Sequence, residues 1–300
     1  MMKIASLIPS STEILHYLGL DRLIVGVSHE CDFPESVKKL PKLTNSNIKN
    51  KQISRDIDKD INQIIKNGLS VYEVDEKKLK ALSPDIIITQ SQCSVCAVSI
   101  NDVRKSLKTW LNKTPEILDL KPNNFKDVMN DILLVGKKFG KLTEAQILIK
   151  KINSIIRTNK KLLLKSKIKN ILCIEWLDPI MIAGNWIPDL LRFVNASSIL
   201  GKSGAHSKFF NLEDIPLDKI DLVIYMPCGY DISKTKFEVM NSSSNLFNLF
   251  KTKMQFIVDG NRYFNRPGPG LLESTKILGE IIHPNFFEPN PSYNRWIQIN

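Results

Sequence analysis

Pro84-Asp85-Ile86-Ile87-Ile88-Thr89-Gln90-Ser91-Gln92-Cys93-Ser94-Val95-Cys96 is the stretch whose reading decides the fold. Its short, unbroken, Ile-rich run predicts a strand buried on both faces of a parallel sheet. Polar and sulfur-bearing residues follow at once, where a doubly wound sheet opens its ligand crevice at the carboxyl ends of its strands. Asp221-Leu222-Val223-Ile224-Tyr225-Met226-Pro227-Cys228-Gly229 repeats the design: an aspartate, an apolar run, a cysteine-bearing loop. A helix-like leucine stretch precedes each, Lys78 to Leu82 and Leu212 to Leu217. Two such units predict an α/β protein of two doubly wound lobes, each offering a loop to a shared ligand cleft.

Outward from these strands the alternation continues. Lys3 to Ile8 and Leu23 to Val27 read as strands, separated by a helix that opens on the capping-box pattern Ser10-Ser11-Thr12-Glu13. Asn45 to Asp60 is polar and reads as surface, Ile61 to Asn67 as a helix, Leu69 to Val74 as a strand. The cysteine loop leads into a helix from about Ala97 to Leu111, and Ile117 to Leu120 is a further strand. Asn124 to Phe139 is helical in pattern. A second capping box, Thr143-Glu144-Ala145-Gln146, opens a helix to about Lys165, with Ala145, Leu148, Ile149, Ile152, Ile155 and Ile156 at three- and four-residue spacing. Such a helix is ~30 Å long at 1.5 Å per residue. It reads either as a packing helix within one continuous domain or as a strut joining two lobes. Strand–helix alternation restarts directly after it, which favours the strut: a lobe over 1–140, a connecting helix over 141–166 and a second lobe over 167–300.

In the second lobe Ile168 to Glu175 and a short, hairpin-paired Met181 to Ala183 are strands, and Pro188 suits the first turn of a helix. Gly201 to Ser207 reads as a flexible loop, Gln255 to Val258 as a strand, Asp259-Gly260-Asn261 as a turn and Asn265 to Gly270 as a stiff, helix-excluding loop. Leu271 to Ile282 makes a last helix. The tail carries Phe286, Phe287 and Trp296 and is expected to pack against the body.

The chain has 300 residues, enough core for two α/β domains. Its formal charge of +11 comes from 42 Lys+Arg against 31 Asp+Glu, much of it in Lys38 to Lys66 and Lys150 to Lys169. A basic surface attracts nucleic acid or anionic lipid; the plainer reading is solvated helix faces. No basic recognition or aromatic-stacking motif accompanies the charge, so no nucleic-acid partner is expected. The apolar run at Met1 to Pro9 is too short for a secretory signal, no lipoprotein-type cysteine stands near it, and no apolar stretch is long enough to insert in a membrane. With an odd count of five cysteines, these features predict a cytoplasmic protein.

Cys31, Cys93, Cys96 and Cys228 all fall on strand-end loops, and four sulfurs from three regions would suit a metal, an iron–sulfur cluster or a thiophilic ligand. Small side chains lining a cleft, or thiol catalysis, are the alternatives. Cys173 lies inside a strand and reads as core. Glu175-Trp176-Leu177-Asp178-Pro179 and Gly184-Asn185-Trp186 set two tryptophans and two carboxylates just past strand ends, which fits a large, partly apolar ligand with a polar rim. Alternatively Trp176 or Trp186 plugs the space between lobes. His29 and Glu30 suggest an acid/base pair, although adjacent strand residues face opposite ways. His206 either reaches a cleft or stands in solvent. Arg266, between Asn265 and Pro267, either engages a carboxylate or phosphate or anchors its own loop. GxGxxG after the first strand, GxxxxGK[ST], GxSxG and HExxH are missing, which argues against the common nucleotide-binding, serine-hydrolase and zinc-protease classes.

Together, His29-Glu30-Cys31-Asp32, Gln92-Cys93-Ser94-Val95-Cys96-Ala97-Val98, the Glu175 to Pro179 and Gly184 to Trp186 segments, Met226-Pro227-Cys228-Gly229, and Asp259-Gly260-Asn261 with Tyr263 to Pro269 resemble the cobalamin-binding-protein-like branch of the helical-backbone substrate-binding proteins. That superfamily includes the vitamin B12, haem and ferric-siderophore binding proteins of ABC importers. The resemblance covers Lys3 to about Phe287. It implies two α/β lobes bridged by one long helix, and binding without catalysis. The implied guest is a cobalamin, another corrinoid or a related metal chelate, held by His29, Glu30, Cys31, Gln92, Cys93, Glu175, Trp176, Asp178, Asn185, Trp186, Cys228, Asn265 and Arg266. An ABC permease is the implied partner only if the chain is exported. A cytoplasmic metal- or cluster-bearing redox protein is the competing expectation.

Overall fold

A computed structural model describes residues 2–49, 53–67, 69–92, 100–107, 114–241, 245–287 and 294–300. The first half of the chain runs β1 (Ile4–Ser6), α1 (Pro9–Tyr17), β2 (Ile24–Val27), β3 (Thr44–Ser46), α2 (Ser54–Lys66), β4 (Tyr72–Val74), α3 (Glu76–Leu82) and β5 (Ile86–Gln90). It continues through α4 (Ile100–Leu107), β6 (Glu116–Leu120), α5 (Phe125–Lys138) and α6 (Leu142–Leu162). All five residues of β5 are buried, as an Ile-rich strand between two parallel neighbours requires. The sheet is wholly parallel in the order β2-β1-β5-β6. Its strand order reverses between β1 and β5, the switch point of a doubly wound sheet. Ala5, Leu7, Leu43, Val71, Leu79, Ile87, Val103 and Leu107 form a core of this half, each fully buried aliphatic stabilising by about 1.5–3 kcal/mol.

The second half runs β7 (Lys169–Leu177), β8 (Ile180–Ile182), α7 (Ile187–Phe193), β9 (Ala196–Ser198), β10 (Lys208–Phe209), β11 (Leu222–Tyr225), α8 (Ile232–Asn241), α9 (Leu246–Leu249), β12 (Met254–Val258), α10 (Leu271–Ile282) and β13 (Trp296–Gln298). Its sheet follows β10-β8-β7-β11-β12-β13, with β9 also paired to β7. Ile171 of β7 faces Ser198 of β9 on one side and Leu222 of β11 on the other. The parallel strands therefore stand in the order β9-β7-β11-β12. In chain order that is second, first, third, fourth, the same winding as β2-β1-β5-β6. The repeated sequence design is a repeated topology.

Contacts group the chain into two compact units, Met1–Gln52 with Asp56–Pro122 and Met129–Gln146, and Ile53–Arg55 with Asn123–Val128 and Ile147–Asn300. The long helix α6 contributes its start to the first and its remainder to the second.

Several local expectations change. α1 begins at Pro9 and α6 at Leu142, so Ser10 and Thr143 lie inside their helices and cap nothing. Pro9 starts its helix early because a missing N–H costs nothing in the first turn. The Leu212 to Leu217 segment forms two short 3₁₀ turns, Leu212–Asp214 and Leu217–Lys219, as Pro216 interrupts any longer helix. Asn45 to Asp60 supplies β3, which pairs with β4 in a separate two-stranded sheet, and the first turns of α2. The tail does pack: Trp296 meets the Phe256 ring at 5.8 Å, and Arg295 lies between Glu273 and Glu280.

Two predictions follow from this packing. A Cβ on Gly260 would meet the Pro227 oxygen at 2.4 Å and the Met226 carbonyl carbon at 2.6 Å, both backbone. Gly260→Ala should lose about 2–3 kcal/mol in denaturant titration. His283 is buried, its Nε2–H donating to the Val194 carbonyl at 2.9 Å, and burial holds its pKa below the ordinary value. Its contribution is therefore fully present above the unfolded pKa of about 6.5 and drains as pH falls below that. The stability difference between the wild type and His283→Gln should shrink across that window.

Candidate functional site

In the first lobe, the strand ends of β1, β2 and β5 carry the quoted motifs. The Leu7 N–H donates to the Ile88 carbonyl and the Ser28 N–H to the Ser6 carbonyl, so Gln92 and the His29-Glu30-Cys31 loop leave the sheet beside one switch point. The buried hydroxyl of Thr44 organises that loop. It accepts the His29 N–H at 3.0 Å and donates to the Ser28 hydroxyl at 3.1 Å. With its one proton so used, it accepts from His29 Nδ1 at 2.7 Å. That fixes the tautomer and turns Nε2 toward Glu30 Oε1, 4.0 Å away. Tyr72 donates its hydroxyl to Glu30 at 3.2 Å and sets its ring, tilted by 43°, 5.4 Å from His29. His29 and Glu30 do meet, across a loop and not along a strand.

Cys31 is placed differently. Its thiol is inside the lobe, 3.2 Å from the Thr12 hydroxyl, which belongs with Ser6 and Ser11 to a buried hydroxyl cluster under the start of α1. Cys93 and Cys96 lie outside the described residues. Among the described residues, no group of three or more His, Cys, Asp or Glu is arranged to hold a metal ion. Cys173 is core, and burial pushes its thiol pKa well up.

The second lobe gathers most of the remaining candidates at the carboxyl ends of β7, β11 and β12. The Cys228 N–H donates to the Glu175 carbonyl at 3.1 Å, joining the β7 and β11 loops at their own switch point. Glu175's carboxylate accepts the Ser207 hydroxyl at 2.6 Å, and Ser207 accepts the Gly184 N–H at 3.0 Å. A Cβ on Gly184 would stand 2.3 Å from the Ala205 oxygen, so glycine lets the two loops touch. Asn185 follows with φ at 49°, its backbone N–H on the Ala205 carbonyl. Trp176 is half-buried, its ring 5.5 Å from that of Tyr230, and the Lys234 ammonium lies 3.8 Å over the other partner's ring, Tyr230. Burial raises the Tyr230 pKa, so the phenol stays neutral. Asp178 pairs with Arg55 at 2.6 Å.

Three candidates make contacts within the scaffold. Trp186 is only 7% exposed, and its indole N–H donates to the Phe264 carbonyl at 2.9 Å. Arg266 is 4% exposed and donates to Asn261 at 3.3 Å. Asn265 donates to the Met226 and Gly260 carbonyls, each at 3.0 Å, tying the β11 and β12 ends together. His206 is exposed, with Nδ1 on the Ser207 carbonyl. Sequence reasoning missed Thr44, Tyr72, Ser207 and Tyr230. Tyr230 alone had a local cue, standing directly after the Pro-Cys-Gly loop.

Against known proteins, residues 4–247 match the family of periplasmic binding proteins. An uncharacterized ABC transporter substrate-binding lipoprotein of Bacillus subtilis, YvrC, is 24% identical over 295 residues, covering 95% of this chain and 81% of its own. A periplasmic haem binding protein from Pseudomonas aeruginosa superposes with a TM-score of 0.74 at 14% identity, covering all of this chain and 98% of its own. The periplasmic vitamin B12 binding protein BtuF of Vibrio cholerae gives 0.62 at 14% identity, over 92% and 94%. These comparisons also overturn the cytoplasmic expectation, since the curated relative is a lipoprotein. Cellular address is carried by segments that take no part in a fold, and the strand opening at Ile4 holds no record of it. With its two like-wound lobes and a match across most of its length, the chain belongs to the periplasmic binding protein family.

Proposed function

We propose that this protein is the substrate-binding component of an ABC importer, that it acts outside the cytoplasm, and that its guest is a cobalamin, another corrinoid or a related metal chelate. It carries the guest to a permease without altering it. One observation supports this reading most: at the ends of parallel strands β7 and β11, half-buried Trp176 lies against Tyr230, Glu175 holds the Ser207 hydroxyl, and the Cys228 N–H reaches the Glu175 carbonyl. A tetrapyrrole-like guest needs one flat apolar contact and hydrogen-bonding groups for its rim. Trp176 provides the contact, and Glu175 and Asn185 meet the rim. In this reading Trp186, Asn265 and Arg266 hold the loops in shape. The solved relatives named for haem and vitamin B12 point to the same class of guest.

The four tryptophans of the chain give an optical test. Titration with cyanocobalamin and, separately, haem should give saturable fluorescence quenching at about micromolar ligand. Trp176→Ala should lose much of the quenching and weaken binding by about tenfold, a loss of one aromatic contact. No saturable quenching with either ligand, or an unchanged affinity in the variant, would contradict the assignment.

A further inference from the structure

The second unit carries a strongly basic ridge that ligand binding does not use. Between Glu144 and Glu175 the sequence has no Asp or Glu and eight cations. Seven of these, Lys150, Lys151, Arg157, Lys160, Lys161, Lys165 and Lys167, are exposed. Among the described residues none of the seven forms an ion pair with a carboxylate; Lys160 lies over the Phe193 ring at 5.4 Å. Lysines in the last turn of α6 favour its carboxyl-terminal dipole, which accounts for Lys160 and Lys161. It does not account for the aliphatic residues beside them. Leu162, the last residue of α6, is 45% exposed, and Leu164 and Ile168 in the turn that leads into β7 are 79% and 59% exposed. Buried Leu163 and the Asn195 side chain, donating to the Leu163 and Ser166 carbonyls, fix that turn, so its neighbours are held outward.

We propose that this ridge, centred on Lys160 to Ile168, docks on an anionic lipid surface. Lysine heads meet the phosphates of the headgroups while Leu162, Leu164 and Ile168 enter the boundary below them. Charge complementarity selects an acidic surface, and the exposed aliphatics select lipid among acidic surfaces. Single-stranded nucleic acid is gripped by aromatic stacking and arginine; the ridge has one arginine and no aromatic residue. Among the described residues no helix is long and apolar enough to cross a membrane, so the contact lies along the surface. Each lysine near such a surface strengthens association by about fivefold, and salt screens the effect.

Vesicle flotation of the purified chain tests this. The protein should float with vesicles of phosphatidylcholine containing about one-third phosphatidylglycerol and not with phosphatidylcholine alone, and release at about 0.5 M salt. K160E/K161E/K165E/K167E should bind the anionic vesicles more than tenfold more weakly, and L164S/I168S several-fold more weakly, with ligand titration unchanged in both. Three outcomes would overturn the proposal: absence of flotation, equal flotation with both vesicles, or undiminished binding by the lysine variant. An L164S/I168S variant that binds as well as the wild type, with soluble polyphosphate displacing both, would replace lipid by a soluble polyanion.

Discussion

A parallel strand must leave its sheet at the same edge as its parallel neighbours, and this constraint underlies the whole protein. It follows from burial on both faces: an Ile-rich strand such as β5 has no solvated side along which to turn back, so a helix returns the chain and every loop accumulates at one edge. Because the winding starts in the middle of each sheet, the loops after its first and third parallel strands part company there and leave an opening. In the second lobe that opening lies between β7 and β11, where the Cys228 N–H reaches the Glu175 carbonyl.

Polar chemistry is built on that edge by cross-bracing. Gly260 lets the end of β12 lie against the Pro227 backbone, Asn265 bonds two carbonyls from different loops, and Trp186 reaches the Phe264 carbonyl. None of these contacts needs a guest. Their effect is to fix the loops that follow β8, β11 and β12 against one another. Thr44 does the same for His29 by consuming its own proton on Ser28.

Much of this was legible in the residues. Two aspartate–apolar–cysteine units announced two lobes because strands buried on both faces leave a composition that little else produces. Hydrogen-bond partners were far less visible. Ser207 is thirty-two residues from Glu175, and Tyr72 forty-two from Glu30, so only folding brings them together. α8 went unread because Ile232 to Asn241 has no clean apolar stripe, with Phe237 and Met240 facing solvent. The turn expected at Asp259 is the cap of a π-helical turn, Gly260–Phe264, a rare form without a sequence signature. Leucine spacing misled at Leu212, where proline decides. Trp186 and Arg266 read from their types either as ligand contacts or as structural ties, and both are buried.

The central claim is that binding happens at the strand ends around Trp176. Hydrogen exchange read by mass spectrometry, with and without a ligand that binds, tests it most directly. The account predicts added protection in the loops that follow β7, β11 and β12 of the second lobe. Protection concentrated instead at the opposite strand ends, with the Trp176 and Cys228 loops unchanged, would contradict it.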